Sequence, residues 1–594
     1  MDPLAEYTSR RNRWEAERQI RQRQFIRIGN WRLAVGVAGA VLAWLSFGSH
    51  LVTPWILVVP VIVFIGPALS HQRVLRQRTR SERAITYYEH GLARLEDRWL
   101  NTGSKGERFR DTSHVYAEDL DVFGKGSLFE LIASARTAAG EEMLAGWLLS
   151  PATREEALSR QEAVRELRAR LDLRQDIALL GEDVRAEVHL DGLKQWGCAA
   201  PVRFARELRV LALVLALGGI ATLLAFFAHV LPLWPFAIIL ACDLILIWAL
   251  RERVSRIRAR TDTPAQGLRI LALLIQRLEE ETFESPRLKQ LRSAFDIGGR
   301  PASKRIARLE RWVDWLDSGE HLFVRVIRPI VLWYEQLAMG IEGWRAKNGR
   351  FVGQWLEAVA EFEALSSLAS IAFERPQWVF PVFLGGDEPH FDAHGLQHPL
   401  MSSAKCVPND VAFSGNLRLF IVSGSNMSGK STLLRSTGLN CVLAWAGGPV
   451  AARSMRLSAL QPAASIRVVD SLHDNRSRFF AEISRIRQIV DLTNGNCPVL
   501  FLLDELLSGT NSHDRRIGAA GIVRKLVGSG AIGLITTHDL ALADIEHDLG
   551  PAATNVHFDD QIVDGQIAFD YKLRPGIVTH SNALELMRAV GLEI

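Results

Sequence analysis

The sequence predicts an α/β domain with a parallel sheet in its C-terminal third, preceded by an all-α region that carries two apolar helical hairpins. Three observations support this fold class. A glycine-rich loop separates an apolar run from a helix-compatible stretch within residues 417–439. Unbroken apolar runs end in charged residues, as buried parallel strands do. Finally, four long apolar runs are flanked by arginines, which is typical of membrane-spanning helices.

The glycine-rich loop, residues 424–431, reads Gly-Ser-Asn-Met-Ser-Gly-Lys-Ser and has the form G-x-x-x-x-G-K-[ST]. In such loops backbone N–H groups surround phosphate oxygens, and the next helix adds positive potential. Lys430 can reach the outer phosphates, and the Ser431 hydroxyl can ligate Mg²⁺. The sequence therefore predicts a site for ATP with Mg²⁺. The alternative is a Gly/Ser turn between a strand and a helix.

Charged residues follow two further apolar runs. The run 498–503 ends in Asp504 and Glu505, and the run 531–537 ends in His538. Functional residues collect at the carboxyl ends of parallel strands. We expect Asp504 to hold Mg²⁺ through water, Glu505 to orient or deprotonate the attacking water, and His538 to sense the γ-phosphate. In this order the motifs fit a nucleotide hydrolase.

The same segments resemble the MutS family. Residues 425–435 are similar to its phosphate loop, in which the pair Asn426-Met427 is characteristic, and residues 470–482 are similar to its loop with a trans-acting signature serine, here Ser477. Residues 504–514 resemble its metal-site strand and dimer-crossing segment. The resemblance is dense from about Gly395 onward and weaker over 119–164.

This resemblance implies a P-loop (ABC-type) ATPase domain and a homodimer with two composite ATP sites, each closed by the partner's signature loop. ATP binding would tighten the dimer and hydrolysis would release it. The expected catalytic residues are Glu505, His538 and Lys430. The expected nucleotide-binding residues are Gly424, Asn426, Met427, Gly429, Lys430, Ser431, Thr432 and Ser477, and the expected metal ligands are Ser431 and Asp504.

The chain also departs from the family pattern. Mismatch-repair members carry an N-terminal mismatch-reading domain whose Phe-x-Glu motif wedges a base step, as apolar side chains do in minor-groove binders. The only Phe-x-Glu here, Phe480-Ala-Glu482, lies inside the signature segment. We therefore expect a variant that lacks the mismatch-reading domain and the connector domain.

The four apolar runs are 33–47, 51–69, 210–227 and 231–250. A spanning helix needs roughly 17–25 mostly apolar residues, and tryptophans favour the membrane interface. Arginines flank both pairs on their outer ends, while the inner turns carry almost no charge. This predicts two hairpins with cytoplasmic ends, which makes the protein a multi-pass cytoplasmic (inner) membrane protein whose ATPase domain faces the cytoplasm.

Two alternatives stay open for these runs: buried core hairpins in a soluble protein, or two spans plus a buried pair. Asp243, inside the fourth run, requires a protein partner or a proton if that run lies in lipid. Five scattered cysteines without C-x-x-C spacing argue against a zinc site or a disulfide framework. The arginine clusters suit anionic lipid headgroups better than duplex phosphates because they adjoin the apolar runs.

The predicted organisation has seven segments. They are a basic cytoplasmic N-terminal segment (1–32), transmembrane hairpin 1 (33–70), a basic linker helix (71–118), a core segment (119–205), transmembrane hairpin 2 (206–250), a helical lever region (251–374) and the ATPase domain (375–594).

Three functional hypotheses follow. The first is a membrane-bound ATPase that binds mismatched or branched DNA in repair or recombination. The second is a membrane-anchored ATPase switch that acts on a protein or lipid partner without DNA. The third is an exporter, which is the weakest because tight hairpins offer few groups for binding a substrate.

Overall fold

The structure is a computed structural model that describes residues 2–49, 51, 53–187, 190–318, 322–386, 388–425, 427–467, 478–495, 497–507, 510–538, 543–563 and 566–578. It begins with two long helices, α1 (Pro3–Ala43) and α2 (Val58–Leu95), which pack against each other. A π-helical turn, Trp44–Gly48, and a 3-10 turn, Pro54–Leu57, lie between them.

Eleven further helices complete the helical region of the described chain. Threonine hydroxyls at Thr137 and Thr153 accept from backbone N–H groups and cap α4 and α5, as these residues commonly do at helix starts. The helices are α3 (Leu128–Ile132), α4 (Ala138–Leu149), α5 (Arg154–Ala169), α6 (Leu171–Glu187), α7 (Leu190–Cys198), α8 (Arg206–Phe227), α9 (Trp234–Glu279), α10 (Pro286–Ser293), α11 (Ala302–Ser318), α12 (Leu322–Ile327) and α13 (Trp333–Glu374).

Helix α13 lies at the centre of the helical region. It is buried along most of its length and packs against α4, α5, α7, α9 and α11. Helix α9 connects this core to the second hairpin without a break: its N-terminal half is apolar and exposed, while Leu268, Leu271 and Ile275 in its C-terminal half are fully buried. The structure therefore contains no helix end at the predicted boundary of residue 250.

The C-terminal region is α/β, as predicted. Its strands are β1 (Val382–Phe383), β2 (Phe391–Leu396), β3 (Asn409–Phe413), β4 (Leu419–Ser423), β5 (Ser454–Leu457), β6 (Gln461–Ser465), β7 (Val499–Leu503), β8 (Ile532–Thr537), β9 (Ala553–Val563) and β10 (Gln566–Pro575). Its helices are α14 (Lys430–Ala446), α15 (Arg478–Leu492), α16 (Ser512–Gly528) and α17 (Ile545–Leu549).

Two sheets form in this region. The larger has the order β10-β9-β4-β8-β7-β6, and all its pairs are parallel except β10 with β9. The smaller has the order β1-β5-β2-β3. Along β4, Phe420 and Val422 face the core shared with α14, whereas Leu419 and Ile421 face the core under α15 and α16. Both faces of the larger sheet are covered, which explains why its central strands are apolar along most of their length.

Within the described residues, three helices are long and apolar enough to cross a membrane: Pro3–Gly48, Arg206–Phe227 and Trp234–Thr261. Between 6 and 17% of the residues in their most apolar stretches are buried, so these surfaces have no covering in the fold. The second predicted run, 51–69, corresponds to a shorter apolar helical stretch, Trp55–Phe64. The spans themselves stay a prediction.

Candidate active site

The carboxyl ends of β4, β7 and β8 lie side by side at one edge of the larger sheet. Ser423, the last residue of β4, pairs with Thr537, and Leu503, the last residue of β7, pairs with Ile535. The residues that follow these strands are therefore neighbours. His538 Nδ1 lies 3.4 Å from Glu505 Oε1, which brings together two residues separated by more than thirty positions in the chain.

The glycine-rich loop links β4 to α14, as the sequence predicted. Gly424 has φ +151° and Gly429 has φ +106°, backbone conformations that favour glycine. A Cβ on Gly424 would lie 2.7 Å from Ser428 Oγ, so the loop has no room for a side chain there. Met427 also has a positive φ, and its side chain is exposed.

Lys430 is the first residue of α14 and its side chain turns back over the loop. The Nζ atom donates to the carbonyl oxygens of Gly424 and Ser425, each at 2.8 Å. Burial lowers the pKa of Lys430, and the nearby carboxylates of Glu505 and Asp504 partly offset this effect. The three predicted charged residues thus interact electrostatically. Ser431 and Thr432 follow Lys430 in the first turn of α14 and are partly buried.

Asp504 and Glu505 are fixed by a threonine of the neighbouring strand. The Thr536 hydroxyl donates to Asp504 Oδ1 and accepts from the Glu505 backbone N–H at 2.9 Å. Glu505 adopts φ +47°, and such left-handed backbone in a non-glycine residue costs on the order of 1–3 kcal/mol. The conformation directs the carboxylate after the strand towards His538.

Two residues of this site were not singled out from the sequence. Thr536 could have been found, because a Thr-Thr pair immediately precedes His538. Tyr571 gave no such signal: its ring reaches the loop because β10 shifts its register between Phe569 and Leu573. A Cβ on Gly429 would lie 3.4 Å from Tyr571 Cδ1, which places an aromatic ring directly beside the loop.

The helical region contacts the site through residues 112–121. Asp119 Oδ1 accepts from the backbone N–H groups of Ile466 and Arg467, both at 2.7 Å. Arg485 donates to the carbonyl oxygens of Thr112, Ser113 and His114. Residues 112–121 therefore bind the chain on both sides of positions 468–477. The predicted residues Ser477 and Asn426 lie outside the described residues.

The C-terminal part of the chain matches proteins of known family. Residues 420–593 match the family described as MutS domain V. The chain is 30% identical over 261 residues to "DNA mismatch repair protein MutS 2" of Halobacterium salinarum, an alignment that covers 43% of this chain and 29% of that protein. It is also 29% identical over 258 residues to "DNA mismatch repair protein MutS" of Streptococcus pneumoniae serotype 19F, covering 42% and 30%.

A further match is "DNA mismatch repair protein HexA" of Streptococcus pneumoniae serotype 4, at 30% identity over 258 residues. It covers 42% of this chain and 30% of that protein. The chain thus spans less than a third of the length of these relatives.

Proposed function

We propose that the chain is a MutS-family protein, a membrane-anchored ATPase that hydrolyses ATP with Mg²⁺ as a dimeric conformational switch. We further propose that it binds mismatched or branched DNA in repair or recombination. The observation that carries the ATPase proposal is the convergence of Lys430, Asp504, Glu505 and His538 at the carboxyl edge of one parallel sheet.

The residues around the glycine-rich loop fit a triphosphate. The buried hydroxyls of Ser425 and Ser428 have no hydrogen-bond partner among the described residues, so they can donate to phosphate oxygens. Mg²⁺, bound by Ser431 and Asp504, would neutralise charge on the phosphates. Lys430 is positioned to exchange its two carbonyl partners for phosphate oxygens, which bind a cation more strongly.

Glu505 is the proposed base of the reaction. Its backbone is fixed by Thr536, and its carboxylate is partly exposed, so water can reach it. His538 lies close enough to respond to a change at Glu505 or at a phosphate. The link from the site to the helical region runs through Asp119 and Arg485, which contact both sides of the segment that carries Ser477. This arrangement supports a switch in which nucleotide binding alters the helical region.

The membrane proposal is supported by the uncovered apolar helices. Leu213, Leu217 and Leu224 on α8 are between 50 and 63% exposed, and Trp234 and Trp248 on α9 are about two-thirds exposed. An apolar surface of this extent needs lipid or a partner. The arginine-rich flanks favour a cytoplasmic position for both ends of each hairpin.

A second candidate function is an ATPase switch that acts on a protein or lipid partner without DNA. Two observations favour it: the match to MutS domain V covers residues 420–593, and the helical region carries exposed apolar helices. DNA binding separates the two candidates.

The deciding experiment measures binding of the detergent-solubilised protein to fluorescent homoduplex, mismatched and branched DNA, with and without ATP, across a salt series. Tight, structure-selective binding that responds to ATP is expected for the DNA function. Lys430→Ala, which should abolish nucleotide binding, serves as the control and should remove the ATP response. Weak binding that vanishes with modest salt and ignores DNA structure would leave the second function.

A further inference from the structure

A cavity of about 210 Å³, which shares no lining residue with the proposed ATP site, lies between α2, α6 and the segment that joins α3 to α4. Its lining includes His90 and Arg94 of α2, Arg136 of the joining segment, Arg185 of α6, and the hydroxyl-bearing residues Ser104 and Ser134. No carboxylate lines it. Sites for drug-sized ligands occupy roughly 300–1,000 Å³, so this cavity suits a small group.

The positive charges around the cavity are only partly neutralised. Arg94 makes two hydrogen bonds to the buried carboxylate of Glu374 and is fully paired. Arg136 has only a distant contact, 3.6 Å from its Nε to Glu182 Oε2. Arg185 is similar, 3.8 Å from Glu141 Oε1, and Arg108 also contacts that glutamate. Neither Arg136 nor Arg185 has a side-chain hydrogen bond within the described chain.

His90 indicates that the potential inside the cavity is positive. Burial, together with the charges of Arg136 and Arg94, lowers its pKa to about 4. Its imidazole has no hydrogen-bond partner among the described residues. The cavity therefore offers a neutral imidazole and two arginines whose donors are free to bind an anion.

We propose that this cavity binds the phosphate group of a small soluble phosphorylated molecule, with Arg136 and Arg185 as its principal ligands and His90 and Ser104 as further donors. Arginine donors match phosphate oxygens in geometry and charge. A bound anion would also relieve the repulsion between the arginines. Because the two arginines come from different elements, the ligand would connect α6 to the α3–α4 segment beside α2.

The position of the cavity favours a soluble ligand over a lipid headgroup. Along α2, His90 lies about 32 Å beyond Leu69, the end of the second apolar run, at about 1.5 Å per residue. A headgroup at the membrane surface would not reach that far. The shared chemistry is a phosphate group, and the source is settled by comparing soluble and lipid phosphate.

The test uses the full-length protein carrying Lys430→Ala, which removes phosphate binding at the glycine-rich loop. Isothermal titration with inorganic phosphate, at constant ionic strength against chloride, should give saturable binding with one site per chain. Arg136→Gln and Arg185→Gln should each weaken it by about tenfold or more, since each removes charged hydrogen bonds. Arg98→Gln is the matched control: Arg98 is an exposed neighbour that does not line the cavity, and this variant should bind phosphate normally.

Absence of saturable binding, or an equal loss in Arg98→Gln, would overturn the proposal. Arg136→Lys keeps the charge and should retain part of the affinity, which distinguishes a lost ligand from a misfolded variant. Glycerol phosphate should compete with inorganic phosphate, whereas glycerol should not. If only nanodiscs containing phosphatidic acid bind, the ligand is a lipid and the proposed soluble ligand is wrong. The ATPase proposal is independent of every one of these outcomes.

Discussion

The hairpin helices and the central strands of the larger sheet are similarly apolar, yet the strands are buried in the fold and the hairpin helices are largely exposed. Every residue of β4, β7 and β8 is buried. On α8 only Ala212, Ala216 and Gly219 are buried, whereas Leu211, Leu213, Leu217 and Leu224 are exposed. Apolar composition therefore indicates that a segment is removed from water. The length of the segment and its flanking residues indicate whether it is buried in the protein core or left uncovered for lipid.

The same contrast holds for carboxylates. Asp504 follows a buried strand and receives a hydrogen bond from Thr536. Asp243 lies within α9 and is fully buried, and neither of its oxygens has a hydrogen-bond partner in the described chain. The carboxylate of Asp504 has a hydrogen-bond partner and can remain charged in a functional site. The carboxylate of Asp243 has none, so it must bind a proton or find a hydrogen-bond donor in a second copy of the chain.

The largest expected difference separates these carboxylates. Glu505→Gln should lower ATP hydrolysis by roughly 100-fold or more while ATP still binds, because the base is lost and the loop is intact. Asp243→Asn is the matched change in the apolar region and should leave hydrolysis in detergent near the wild-type rate. Steady-state phosphate release and binding of a fluorescent ATP analogue measure both. Unchanged turnover in Glu505→Gln would remove the catalytic assignment.

Core packing gives the next effect. Phe501 on β7 is fully buried and Phe227 at the end of α8 is 69% exposed. Phe501→Ala should destabilise the protein by about 3–5 kcal/mol, through lost burial and a cavity. Phe227→Ala should cost less than about 1 kcal/mol. Urea unfolding in detergent, followed by tryptophan fluorescence, compares the two. Equal costs would mean that α8 packs as a buried core helix.

Acid should destabilise the α/β region through His398. Burial, with a smaller contribution from the charge of Arg435, lowers the pKa of this histidine to about 4. In the unfolded chain this histidine binds a proton near pH 6.5, whereas in the folded protein it stays neutral down to about pH 4. The free energy of unfolding is therefore unaffected by His398 above pH 6.5 and decreases as the pH falls from 6.5 towards 4. The loss is about 3 kcal/mol. His398→Asn should flatten the dependence of the unfolding free energy on pH, and the exposed His547→Asn should not. If the unfolding free energy of His398→Asn still depends on pH to the same degree, another titrating group causes the dependence.

Two native cysteines allow the most direct test of the hairpins, with the smallest expected effect of the four. Cys198 precedes hairpin 2 and Cys242 lies within α9, and both are exposed in the fold. In native membranes a water-soluble maleimide should label Cys198 at least about tenfold faster than Cys242, because the thiolate and the reagent require water. Single-cysteine variants and a control in sodium dodecyl sulfate isolate the effect. Equal rates in membranes would place Cys242 in water.

Much of the α/β region could be predicted because its signals are local. The apolar runs before Gly424, Asp504 and His538 became β4, β7 and β8 within two residues, since strands buried on both faces are mostly apolar. The convergence of the loop, the carboxylates and the histidine followed from the direction of parallel strands.

Features that depend on contacts between distant segments could not be predicted. The hydrogen bonds of Asp119 to residues 466–467 join positions separated by more than three hundred residues. The ring of Tyr571 reaches Gly429 only through a register shift in β10. The continuity of α9 past residue 250 could not be predicted either. The change from apolar to arginine-rich sequence indicated a domain boundary there, although the helix continues across it.

That continuity gives α9 the dimensions of a mechanical rod. Its 46 residues extend about 69 Å at about 1.5 Å per residue, roughly twice the thickness of a bilayer core. If the rod turns as one piece, a tilt of about 5° displaces one end relative to the other by about 6 Å. Pro264 removes one backbone hydrogen bond in the C-terminal half of α9, so the helix bends most easily at this position. Stiffening the rod there with Pro264→Ala would change how much of any tilt reaches the buried end.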